Sequence, residues 1–151
     1  MTVRPDNTRV NQATQDAVRK SQEYFRQSQY AEGYWWGELE SNPTMETEYL
    51  MLCLFTGRHD SERWRKVSNY ILSKQRSDGS WGQYYEAPGD VSTCVECYVA
   101  LKLGGHSSES EPLRKAREFI LSKGGNPKVR VFTKIWLALF GQWDWQGTPN
   151  M

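Results

Sequence analysis

Four charged residues stand where an apolar one would be expected. Glu46 and Glu48 fall beside the run Tyr49-Leu50-Met51-Leu52-Cys53-Leu54-Phe55, Glu96 sits between Val95 and Cys97, and Arg130 opens a third apolar stretch that ends at Gly141. A carboxylate in an apolar helix must be solvated or paired. Glu48, Glu96 and Arg130 each lie near the start of their own apolar segment. A fold that sets those starts side by side gathers two carboxylates and a guanidinium, and the residues alone read as an ion-pair network holding successive segments in register.

Other groups with chemical capacity are sparse. Cys94-x-x-Cys97 has no second cysteine pair, and only His59 and His106 are available beside it. That is a poor metal site, and no metal or cofactor is expected. There is no Gly-rich phosphate loop and no Asp-Asp-x-x-Asp cluster, so ionisation of a diphosphate is not supported. Trp143-x-Trp145 reads equally as an interface anchor or as packing.

The elements that must position these residues come from a repeat. Tyr24-Phe25-x3-Gln29-x3-Gly33-x-Trp35 and Tyr70-Ile71-x3-Gln75-x3-Gly79-x-Trp81 share all internal spacings and lie 46 residues apart. A worn third copy starts at Phe119-Ile120, where Gly124-Gly125 replaces the Gln and no Trp follows. Each copy leads into an apolar segment, so the unit is a polar amphipathic helix, a Gly-containing turn and a more apolar helix. The spacing predicts helices over 10–28, 44–56, 61–75, 91–103, 110–123 and 129–141. The chain is therefore expected to be all-α, about three helical hairpins stacked in an open arc, with the apolar second helices as its inner layer. The expected organisation is a flexible 1–9, a partial α/α-barrel domain over 10–145 and the start of a loop at 146–151. Within the repeat, Gln29 and Gln75 are placed to satisfy backbone groups at a helix end, Gly33 and Gly79 to turn the chain, and Trp35 and Trp81 to fold back over the turn. An open arc also predicts sticky apolar faces around Ile135, Trp136 and Phe140.

Composition narrows the partners. Among 151 residues, 19 Lys and Arg against 18 Asp and Glu give a net charge of +1, which offers no basis for nucleic-acid binding. No run approaches roughly 18 apolar residues, and the polar first 30 residues carry no signal-type apolar core. Three scattered cysteines point to a reducing, cytoplasmic setting.

Several runs carry a family resemblance. Ile71-Leu72-Ser73-Lys74-Gln75-Arg76-Ser77-Asp78-Gly79-Ser80-Trp81-Gly82 resembles the QW repeat of squalene–hopene and oxidosqualene cyclases. Gly33-Tyr34-Trp35-Trp36-Gly37, Ser41-Asn42-Pro43-Thr44-Met45-Glu46-Thr47-Glu48-Tyr49 and Arg130-Val131-Phe132-Thr133-Lys134-Ile135-Trp136-Leu137-Ala138-Leu139 are similar to the amino-terminal region of squalene–hopene cyclases in particular. The resemblance runs from about Asp16 to Trp145.

It implies an α/α toroid of the terpenoid cyclase and prenyltransferase kind, incomplete here, and the amino-terminal part of an isomerase that turns squalene into hopene or hopanol through a proton-initiated cation cascade, on the membrane surface. It also implies that Glu48, Glu96 and Arg130 belong to a polar, water-holding network where the final cation is quenched. The initiating acid of that family lies in an Asp-x-Asp-Asp motif, for which Asp90-Val91-Ser92-Thr93 is no substitute, so these 151 residues alone are expected to be inactive. The partners implied are squalene together with the rest of a cyclase, supplied by a complementing chain, or a second copy as a homodimer. A non-catalytic α/α scaffold left from a cyclase is the competing expectation.

Overall fold

The computed structural model describes residues 7–37, 40–58 and 60–148, with side chains from residue 11 onward. His59 and most of the stretches expected to be a flexible start and a loop-like end, Met1–Asp6 and Pro149–Met151, lie outside the described residues. Six α-helices account for the described fold: α1 (Asn7–Ser28), α2 (Thr44–Phe55), α3 (Ser61–Ser73), α4 (Val91–Leu103), α5 (Glu111–Ser122) and α6 (Val131–Leu139). Among the described residues there is no strand, only an isolated antiparallel bridge between Gly82 and Gly89. No described helix is long and apolar enough to cross a membrane.

The helices end where the local chemistry stops them. Asp60 caps α3 by accepting the N–H groups of Glu62 and Arg63 at 3.1 and 3.0 Å, and Asp90 caps α4 by accepting that of Thr93 at 2.8 Å. α6 is shorter than the predicted 129–141. A 3₁₀ turn at Asn126–Lys128 hands over to extended Val129 and Arg130, and Gly141 takes φ +67° just past the other end. α1 begins at Asn7, earlier than the predicted residue 10, because apolar period marks the residues that pack and not every residue that can be helical. At the far end Trp145–Gly147 forms a second 3₁₀ turn, where a loop was expected from 146.

The chain divides into two compact units, Met1–Leu39 and Glu40–Met151. The first holds α1 and its turn, with Val18, Tyr24 and Phe25 exposed along the helix. In the second unit α2 packs on α3 and α4, and α4 packs on α5 and α6. The apolar helices α2, α4 and α6 thus form one row, with α3 and α5 laid against it. α4 is the most enclosed: Cys94, Val95, Glu96, Cys97, Ala100 and Leu101 are all buried. Of these, Cys94, Val95, Cys97 and Leu101 pack with Leu50, Trp64, Ile71, Trp81, Leu113, Ala116, Ile120 and Leu137 as one core. At the last helix, Leu137 and Ala138 are buried while Ile135, Trp136 and Phe140 stay half-buried, and Phe140 meets Phe55 edge-on at 6.4 Å.

The two Gln…Gly-x-Trp turns have the same local geometry. Gln29 donates its amide N–H to the Gly33 carbonyl at 2.8 Å, and Gln75 donates to that of Gly79 at 2.9 Å. The indole N–H of Trp35 reaches the Phe25 carbonyl at 2.7 Å, as that of Trp81 reaches Ile71 at 2.7 Å. Trp therefore closes the turn on a carbonyl ten residues earlier, while Gln closes the turn's own backbone. The second copy does more: Gln75 also donates to the Pro112 carbonyl at 2.8 Å, tying the end of α3 to the start of α5. Trp81 is fully buried there, and Trp35 is 50% exposed.

Gly79 combines φ +82° with a close approach, since a Cβ on it would lie 2.6 Å from the Lys115 carbonyl carbon. Gly105 has a similar φ of +89° with nothing near it. Gly105→Ala should cost about 1 kcal/mol, the strain of a left-handed residue, and Gly79→Ala clearly more, about 2 kcal/mol or above, because α5 must also move. Urea unfolding of the two variants checks the difference, and equal losses would show that the contact with α5 yields freely.

Candidate functional site

The candidate site is built on the first turns of the helix row. Buried hydroxyls mark each start: Thr44 and Thr47 on α2, Ser92 and Thr93 on α4, and Thr133 on α6. Hydroxyl and charge lie three or four residues apart at each start, as Thr44 with Glu48, Ser92 with Glu96 and Arg130 with Thr133. The pairs on α2 and α4 share a helix face, and Arg130 stands just before α6.

Glu96 is the centre, with 1% of its surface exposed. Arg130 spans its carboxylate from one guanidinium nitrogen, Nη2, at 3.1 Å to Oε1 and 3.3 Å to Oε2. The Thr133 hydroxyl also donates to Oε1. The Arg130 backbone N–H, one of the orphan donors at the start of α6, is accepted by Ser92 Oγ at 2.9 Å. Two side chains of α4 and two residues from the start of α6 are thereby locked in one register.

Burial pushes the Glu96 carboxyl above the usual carboxylate range. The Thr133 hydroxyl and the Arg130 guanidinium draw it back down, and the charge of Glu48 adds to the rise. Glu48 is half-buried and reaches the cluster through its charge, with no hydrogen bond to Glu96 or Arg130 among the described residues. Of the three predicted residues, the structure thus joins Glu96 and Arg130 directly and sets Glu48 within electrostatic reach on the neighbouring helix. Glu46 is half-buried and accepts a long 3.5 Å bond from Ser41.

Thr133 and Ser92 were not singled out from the sequence, although they complete the cluster. The available signal was their spacing to the charged residues, i+3 from Arg130 and i−4 from Glu96. Cys94 is a packing group: its sulfur accepts the Trp81 N–H at 3.2 Å, and burial pushes its thiol up to about 12. Burial likewise raises the Cys97 thiol well above its ordinary value. Among the described residues no group of three or more His, Cys, Asp or Glu is placed to hold a metal ion.

An enclosed carboxylate held by one guanidinium nitrogen and one hydroxyl can polarise a water molecule or accept a proton. Replacing Arg130 by Leu strips the buried charge of its cation. The expected loss at neutral pH is about 2–3 kcal/mol, below the range for a fully buried pair because the Arg130 side chain is 34% exposed. The sign with pH follows from the raised Glu96 pKa. A carboxyl raised by folding contributes stability fully present below its ordinary value of 4.5 and lost as pH rises through the folded value. Removing Arg130 raises it further, so the deficit should shrink towards acid. Denaturant unfolding across pH tests this, and a pH-independent deficit would mean that the charge pair is not its origin.

Comparison with known proteins gives a consistent set of matches. Residues 18–151 match the family model described as squalene-hopene cyclase N-terminal domain. A squalene–hopene cyclase of Alicyclobacillus acidocaldarius subsp. acidocaldarius is 49% identical over 127 residues, which cover 84% of this chain and 20% of that protein. A dammaradiene synthase of Dryopteris crassirhizoma is 40% identical over 136 residues, 90% of this chain and 20% of that protein. A squalene–hopene cyclase of Zymomonas mobilis subsp. mobilis is 35% identical over 135 residues, 89% of this chain and 20% of that protein. The chain therefore spans about a fifth of the length of these relatives.

Proposed function

We propose a function on one premise: the chain belongs to the squalene–hopene cyclase family, as an N-terminal domain of it. It is the amino-terminal part of a class II triterpene cyclase that converts squalene to hopene or hopanol by a proton-initiated cation cascade. Its own contribution is to the last step. The rest of the protein supplies the initiating acid, and the whole acts from the cytoplasmic side at a membrane surface.

The observation that carries this reading is the Glu96–Arg130–Thr133 cluster, with Glu48 beside it on the next helix. At the end of the cascade a tertiary cation either loses a proton from an adjacent carbon, forming the alkene, or is captured by water. In the second case the water oxygen forms the C–O bond and its surplus proton passes to a base. A tertiary cation is so acidic at the neighbouring carbon that a water polarised by a carboxylate suffices for either outcome. Arg130 keeps one carboxylate ionised next to another, which would otherwise repel it. The dry, apolar α4 surroundings strengthen that polarisation relative to bulk water.

Two measurements test the proposal. Residues 1–151 incubated with squalene should give no hopene or hopanol by mass spectrometry, because none of their carboxylates is the strong, activated acid that initiation requires; product above a no-protein control refutes that claim. In a full-length squalene–hopene cyclase carrying this segment, Glu48→Gln should change the hopene-to-hopanol ratio on the order of tenfold while the protein still folds. An unchanged ratio removes the termination role.

A further inference from the structure

We infer that Thr133 is a positioning residue for the Glu96 carboxylate, committing Oε1 to the protein and leaving Oε2 as the oxygen that takes up the water or the proton. The inference rests on the termination reading above and adds to it which oxygen works and which hydroxyl decides that.

The geometry is asymmetric. Among the described residues, Oε1 receives two donors, the Thr133 hydroxyl and Arg130 Nη2 at 3.1 Å, while Oε2 receives only the longer 3.3 Å arm of the same nitrogen. An ionised carboxylate offers about four lone-pair sites over its two oxygens. Oε1 has its two sites filled, and Oε2 has one filled weakly. A further donor, such as a water O–H, is therefore accepted at Oε2, and a transferred proton ends there with least loss of existing bonds.

Thr133 is suited to this task by its own burial. It is fully buried, so its hydroxyl has no water to turn to, and its β-branched side chain has restricted χ1 freedom on a helix. It stands one turn after Arg130, so a single helix start delivers both donors to one carboxylate. The charged groups acting on Glu96 are Glu48 from α2 and Arg130 from the start of α6. Neither settles which oxygen is free: Glu48 acts only through charge, and Arg130 touches both oxygens at nearly equal distance. The hydroxyl bonds Oε1 and not Oε2, and so supplies most of the asymmetry.

The test uses Thr133→Val, which keeps the shape and loses the donor, and Thr133→Ser, which keeps the donor. The Glu96 carboxyl is followed by carbon-13 NMR titration in each variant of this chain. The hopene-to-hopanol ratio is measured in the full-length cyclase carrying the same change, with Glu96→Gln as the control for the reading beneath. Thr133→Val should move the Glu96 titration to higher pH and shift the ratio on the order of fivefold, about the worth of one hydrogen bond, and Thr133→Ser should restore both. A titration that does not move in Thr133→Val, or that Ser fails to restore, overturns the role of Thr133. A ratio unmoved by Glu96→Gln refutes the termination reading instead, while a restored titration in Ser still supports the hydroxyl's hold on Oε1.

Discussion

A carboxylate with 1% of its surface exposed constrains everything around it. Glu96 lies in the helix that α2, α5 and α6 all pack against, so it has no route to solvent that leaves that packing intact. An isolated charge there would cost several kcal/mol, and the fold offsets this with donors brought from α6. Arg130 and Thr133 reach it only if α6 starts at the right level along α4. The Ser92 to Arg130 bond fixes the same level from the other side. One buried charge thus helps to set the register of α6 on α4, together with the Ser92 bond.

The Gln…Gly-x-Trp turns solve a different problem. Each closes a helix end on itself with two side-chain bonds to backbone carbonyls, and this part is complete in both copies. The second is also read by the next repeat, through Gln75 to Pro112 and the close approach of α5 to Gly79. Cys94 binds both the N–H and the C=O of Trp81, so the turn is held to α4 as well. The turn after α3 is therefore a joint between three helices, α3, α4 and α5. Its rigidity is transmitted to the start of α4, where Asp90 caps the helix that carries Glu96.

The two constraints divide the work along α4. Its beginning is fixed by the turn and by Asp90, its first face by the polar cluster, and its remainder by apolar packing on Leu50, Ile71, Leu113 and Leu137. The termination role proposed above would benefit from such an arrangement. Water and base must hold a single geometry, because a cation in a loose pocket loses whichever proton is nearest.

The sequence by itself determined the elements and their order. The 46-residue spacing between turn motifs, the apolar runs and the Gly and Asp boundaries located all six helices, because period and capping are local properties. It also singled out Glu48, Glu96 and Arg130, because charges inside apolar runs are visible without coordinates. Tertiary structure alone decided how they act. That Glu96 pairs with Arg130 while Glu48 contributes only charge depends on the relative level of three helices, which no periodicity encodes. Thr133 and Ser92 escaped notice because a hydroxyl in an apolar helix is ordinary until a buried carboxylate or a free helix N–H is placed against it.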